Sequence, residues 1–132
     1  MTSLNAIESR LHVADVSRSA VFYRNTLGFE IGTMLPAESP QFAILEKGKV
    51  RLQLAQIKER TPLGNDSTST LWLDVSGITD LHSTINKKVE IEWGPEVYGF
   101  GRREFAFKDP DGHLIILSEV TRDPPSCETT YR

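Results

Sequence analysis

The chain has 132 residues, 39% of them hydrophobic and 25% charged, with a formal net charge of −3. That length supports one domain able to bury roughly two-thirds of its unfolded surface, and the slight acidity argues against a nucleic-acid partner, which calls for a basic face. No stretch approaches the ~20 apolar residues that span a bilayer, and Met1-Thr2-Ser3-Leu4-Asn5 lacks a basic region followed by an apolar run; the expectation is a cytoplasmic protein without a membrane partner.

The first predicted strand, Ile7 to Val13, leads through Asp15 into a helix ending near Leu27. Val16, Ala20, Tyr23 and Leu27 recur at helical spacing and share one face, with Asp15 suited to the N-cap and Gly28 to the C-terminal stop. Short strands follow at Phe29 to Met34, Gln41 to Glu46 and Lys49 to Ile57, the last two joined by a hairpin turn at Lys47-Gly48. Lys58 to Thr68, rich in Thr, Pro, Gly, Asn, Asp and Ser, reads as a linker.

The second stretch repeats the order. A strand from Ser69 to Val75 precedes a shorter helix, about Gly77 to Lys87, with Ile78, Leu81 and Ile85 on one face. Strands are predicted at Val89 to Trp93, Arg103 to Lys108 and His113 to Val120, with Asp109-Pro110-Asp111-Gly112 as a turn whose proline presets φ. Gly99-Phe100-Gly101 reads as a flexible loop. Residues 123–132, containing Pro124-Pro125, read as a flexible tail, and Cys127, the sole cysteine, excludes an internal disulfide framework or thiolate metal cluster.

Residues 4–57 and 68–120 therefore read as one βαβββ unit written twice within a single domain covering 1–122. The spacing of Val13 from Val75 nearly equals that of Phe42-Ala43 from Phe105-Ala106. A period this long exceeds that of solenoid repeats and indicates a duplicated half-domain.

Alternation along the strands sorts the candidate site residues. Glu8, Arg10 and His12 fall on one face of the first strand, opposite Ile7, Ser9, Leu11 and Val13, which are expected to pack beneath the helix. Arg51, Gln53 and Ala55 separate likewise from Leu52 and Leu54, and Thr70, Trp72 and Asp74 from Leu71, Leu73 and Val75. Several polar groups on one sheet face imply water access or mutual pairing, because unpaired charges resist burial. Phe42, Trp72, Trp93, Tyr98 and Phe100 add ring surfaces able to hold flat or cationic ligands. No phosphate loop, nucleophile elbow or metalloprotease motif is present.

Val13-Ala14-Asp15, Ser19-x-x-Phe22-Tyr23 and Leu27-Gly28-Phe29 at one end resemble the opening of the glyoxalase/bleomycin-resistance/extradiol-dioxygenase (vicinal oxygen chelate) superfamily. At the other end, Phe100-Gly101-Arg102-Arg103-Glu104-Phe105-Ala106 and Asp109-Pro110-Asp111-Gly112 are similar to its bleomycin-resistance branch. The resemblance implies an α+β fold of two βαβββ modules whose curved mixed sheets enclose a cleft, and a homodimer. It places Glu8, Gln53, Thr70 and Ile116 where metal-dependent members carry ligands. Thr70 is a poor ligand and Ile116 has no donor atom, so neither a metal nor another cofactor is expected. It also sets Phe42 and Phe100 near aromatic positions that line a drug-binding groove.

The resulting expectation is a metal-free protein that sequesters an aromatic or cationic small molecule through Glu8, Arg10, His12, Phe42, Gln53, Trp72, Tyr98 and Phe100. The alternatives are a glyoxalase- or dioxygenase-like enzyme with an altered metal site, recruiting His12, His82 or His113, and metal-free acid-base catalysis by Glu8 and His12.

Overall fold

A computed structural model describes residues 1–59, 61 and 68–127. Most of the expected linker, and the tail beyond Cys127, lie outside the described residues. The chain divides into two compact units, Met1–Thr68 and Ser69–Arg132, each taken by itself below.

The first unit runs β1 (Ser9–Val13), α1 (Val16–Leu27), β2 (Glu30–Leu35), β3 (Phe42–Lys47) and β4 (Val50–Gln56). Its sheet has the order β1-β4-β3-β2, with β1 parallel to β4 and the other pairs antiparallel. Helix α1 starts where Asp15, in extended backbone, accepts a hydrogen bond from Arg18 N–H at 3.0 Å, and stops where Gly28 adopts φ 76° and donates back to the Arg24 carbonyl. Leu11, Val13, Ala43, Leu45, Leu52 and Leu54 are buried on the sheet, as are Val16, Ala20 and Tyr23 on the helix. Each fully buried leucine contributes about 1.5–3 kcal/mol.

Two expectations are corrected here. Thr26 rather than Leu27 completes the buried stripe of α1; its hydroxyl donates to the Phe22 carbonyl at 2.7 Å, which satisfies the polar atom within the helix. Ile7 does not pack beneath the helix: it precedes β1, has no neighbouring strand to hold it and is 98% exposed.

The second unit runs β5 (Thr70–Asp74), α2 (Ile78–Ile85), β6 (Ile91–Tyr98), β7 (Arg102–Lys108) and β8 (Leu114–Val120), in the sheet order β5-β8-β7-β6. Phe105, Phe107, Ile115 and Leu117 are buried, with Ile78 and Ile85 of the helix. The His82 ring meets Phe105 edge-on at 5.1 Å, which marks this as the helix-covered face. Strand β6 is longer than expected because it continues past Gly94-Pro95 through register shifts rather than stopping there. Gly94, at φ 85°, lies so close to β7 that a Cβ would stand 2.3 Å from the Glu104 carbonyl oxygen. The tail expected to be loose is pinned at its start: Ser126 exchanges hydrogen bonds with Val97, and Arg103 pairs with Asp123 at 2.6 Å. That bond and the guanidinium charge hold the Asp123 carboxyl below its ordinary range.

The α+β architecture of two βαβββ modules, each a four-stranded mixed sheet with one helix, is therefore the observed one. Strand register fixes which positions correspond. Arg10 pairs with Gln53 and Gln53 with Ile44; Trp72 pairs with Ile116 and Ile116 with Ala106. In the next row, Phe42 faces Ala55 whereas Glu104 faces Ser118. Phe42 thus corresponds to Glu104, and the apparent match of Phe42-Ala43 with Phe105-Ala106 is out of register by one residue. A slip of one exchanges the faces, so Phe105 belongs with the buried Ala43 and not with Phe42.

One device recurs in both modules. The Gln56 side chain, at the end of β4, accepts from Val16 N–H at 3.2 Å and donates to the Ala14 carbonyl. Its counterpart Glu119, near the end of β8, accepts from Gly77 N–H at 2.8 Å and Ile78 N–H at 3.2 Å. Each satisfies backbone donors that the first turn of a helix leaves open.

Candidate functional site

In the first module, the sheet face away from the buried leucines carries a chain of polar contacts. Arg10 Nε donates to Gln53 Oε1 at 2.9 Å, and Gln53 Nε2 donates to Glu8 Oε1 at 3.2 Å. Arg51 reaches Glu8 Oε2 at 3.2 Å and Glu46 at 3.5 Å. The Arg10 guanidinium carbon also stands 5.3 Å from the centroid of the half-buried Phe42 ring, in cation-π geometry. Glu8 and Arg10, expected on one strand face, therefore form one cluster with Gln53 and Phe42. His12 shares the face through its pairing with Ala55, the residue opposite Phe42.

The second module has the reverse arrangement. Trp72, at the position of Arg10, is 45% exposed, and its indole N–H donates to Glu104 Oε2 at 2.9 Å. Glu104 is wholly buried. The Arg102 guanidinium lies 4.9 Å from the Trp72 ring centroid and is held by Asp74 at 2.6 Å. Glu104 and Ser118, directly opposite in β7 and β8, each keep a buried oxygen, Oε1 and Oγ respectively, with no hydrogen-bond partner among the described residues. Sequence reasoning missed this pair because Glu104 served only as part of a family signature and Ser118 as an ordinary strand residue. The alternation that groups Glu104 with Trp72's face was legible; its burial was not.

Tyr98, expected to offer a ring surface to a ligand, is buried instead. It is 2% exposed, its hydroxyl donates to Glu96 Oε2 at 2.6 Å, and Phe100, 55% exposed, stacks on its ring at 5.5 Å with the planes 1° apart. Trp93 closes the Tyr98 ring edge-on at 6.2 Å. Of the three, Phe100 is the exposed one.

The donor sets do not suit a divalent metal. In the first module both Glu8 oxygens and the Gln53 oxygen already receive donors from Arg51, Gln53 and Arg10. In the second, Thr70 is exposed and supplies one weak hydroxyl, while Ile116 supplies nothing. His82 and His113 do not replace them. His82 packs on Phe105, and buried His113 accepts Ser69 N–H on Nδ1 at 2.8 Å while Asp109 accepts its backbone N–H. Among the described residues no three His, Cys, Asp or Glu side chains are grouped to hold a metal ion. No described helix is long and apolar enough to cross a membrane.

The model for the glyoxalase/bleomycin resistance protein/dioxygenase superfamily matches residues 4–117. Among solved structures, a virulence protein from Salmonella typhimurium is 27% identical over 92% of this chain and 100% of its own, with a TM-score of 0.70. A protein from the mobile metagenome of V. pseudocholerae is 26% identical, covering 90% of this chain and 96% of its own, with a TM-score of 0.69. A lactoylglutathione lyase from Agrobacterium tumefaciens, 16% identical over 90% of this chain and 96% of its own with a TM-score of 0.71, shares the fold. No protein of curated function matches in sequence. With a family model spanning most of its length, the chain belongs to the glyoxalase/bleomycin resistance protein/dioxygenase superfamily.

Proposed function

We propose that this chain is a metal-free small-molecule binding protein of the bleomycin-resistance type, sequestering an aromatic or cationic ligand without transforming it. The observation that carries this reading is the recurrence, in each module, of an aromatic ring partnered by a guanidinium on the sheet face away from the helix: Phe42 with Arg10 and Trp72 with Arg102. Such faces hold flat or charged ligands by stacking and cation-π attraction. The family's metal positions support it too, because Glu8 and Gln53 are engaged by neighbouring side chains and Ile116 has no donor. Fold alone decides nothing between binding and catalysis.

The reading carries with it a homodimer, which light scattering on the purified protein tests directly. Titration calorimetry with a bleomycin-class glycopeptide and with a planar heteroaromatic such as quinoxaline tests the ligand class. Saturable heat with either compound, lost on Phe42→Ala or Trp72→Ala, is the expected result. Silence with both compounds overturns it. Stoichiometric nickel, zinc, iron or manganese after chelator-free purification instead favours an altered glyoxalase- or dioxygenase-like enzyme.

A further inference from the structure

The face of the second module that carries Trp72 contains an unusual grouping. Glu104 is fully buried, its position is fixed by the indole N–H on Oε2, and Oε1 has no donor within reach among the described residues. Ser118, its direct cross-strand neighbour, likewise has a buried and unpartnered hydroxyl. A buried carboxylate oxygen without a donor is unfavourable, and native structures keep such groups chiefly where something else engages them. Glu104 Oε1 lacks a donor, and the Ser118 hydroxyl beside it is able to accept one as well. Beside it, the Trp72 ring is covered by a planar cation belonging to the chain itself, Arg102, whose tether Asp74 is largely exposed and therefore releases it at small cost.

We propose that the second module binds a planar organic cation of the amidinium or guanidinium class, with its N–H groups donated to Glu104 Oε1 and Ser118 Oγ and its plane against Trp72 in the place Arg102 now fills. The inference rests on the small-molecule-binding reading and narrows it. A forked planar cation directs one charge-assisted N–H at Glu104 Oε1 and a second N–H at Ser118 Oγ, a spread that a point charge cannot match. A metal ion is a poorer fit, since one carboxylate oxygen and one hydroxyl fall short of a coordination shell. Arg102 is then an internal competitor: removing it frees the ring, whereas altering Glu104 removes the anchor.

Benzamidinium, titrated into the full-length protein, tests this through the Trp72 indole N–H resonance, assigned with Trp93→Phe. The expected result is a saturable shift, with Glu104→Gln weakening affinity about tenfold or more and Ser118→Ala weakening it by about threefold or more. Arg102→Gln is expected to act in the opposite sense, tightening binding by about two- to fivefold. A purely structural role for these residues would move both variants in the same direction. An unmoved Trp72 resonance, unchanged affinity in Glu104→Gln, or weakening by Arg102→Gln overturns the proposal. Should Glu104→Gln fail to fold, the wild-type protein decides: benzamide and benzoate are expected to bind at least about tenfold more weakly than benzamidinium, and equal binding overturns the assignment. If quinoxaline or the bleomycin-class glycopeptide binds but benzamidinium does not, the cation subsite falls and the binding-protein reading stands; if none of the three binds, both fall.

Discussion

The indole N–H of Trp72 donates to Glu104 Oε2 at 2.9 Å, joining an exposed ring on an edge strand to a carboxyl group with no solvent contact. Trp72→Phe keeps a ring but removes the donor, leaving both oxygens of Glu104 unsatisfied. The expected loss of stability is about 1–3 kcal/mol, measured by urea denaturation. Glu104→Gln is expected to raise stability by about 1 kcal/mol, because an amide still accepts from the indole without keeping an anionic group from water. A destabilised Glu104→Gln protein would contradict the picture of a group retained for binding at the expense of stability.

Gly94 has no room for a side chain. Gly94→Ala places a Cβ 2.3 Å from the Glu104 carbonyl oxygen and 2.8 Å from the Phe105 Cα, at a φ of 85° that alanine resists. Backbone strain and overpacking together are expected to cost about 3 kcal/mol or more. Thermal unfolding of the variant measures it, and a midpoint within a few degrees of wild type would rule the close approach out.

The polar chain on the first module is exposed enough to matter little for folding. Glu8→Gln breaks its ion pair with Arg51, and a stability change under about 1 kcal/mol is expected, shrinking further in high salt. Denaturation at two ionic strengths checks both the size and the trend. A larger, salt-insensitive loss would place Glu8 in a tightly packed structural role.

Buried His113 accepts Ser69 N–H on Nδ1 while its own backbone N–H is held by Asp109. His113→Ala strands the Ser69 donor and empties a packed site, for an expected loss of about 2–4 kcal/mol. Native-state hydrogen exchange provides a second readout: Ser69 N–H should exchange faster in the variant.

Much of the fold was legible because its signals are local. Asp15 and Gly28 mark the limits of α1 through their own backbone and side-chain chemistry, and alternation in β1, β4 and β5 separated helix-facing leucines from Arg10, Gln53 and Trp72. The failures lie where distant partners decide. Thr26 displaces Leu27 because its hydroxyl is satisfied within the helix, Tyr98 is buried by Phe100, and β6 runs past Gly94-Pro95 because β7 remains beside it. The false match of Phe42 to Phe105 arose from a recurring Phe-Ala pair at nearly the right spacing; strand register, invisible in sequence, assigns Phe42 to Glu104. The same hidden register separates a site built on Arg10 and Phe42 from one built on Trp72 and Glu104.

The carboxylate of Glu119 has a consequence for the order in which the chain acquires structure. Helix α1 has a partner of its own in Asp15, which accepts from Arg18 N–H, although its Val16 N–H also waits for Gln56. Helix α2 begins at a glycine with no side chain of its own to offer, and its first amides wait for Glu119, some forty residues later in synthesis. The second half of the protein therefore matures as a cooperative whole only after its last strand is made, and a nascent chain stalled before residue 119 would display α2 as a frayed, protease-sensitive segment.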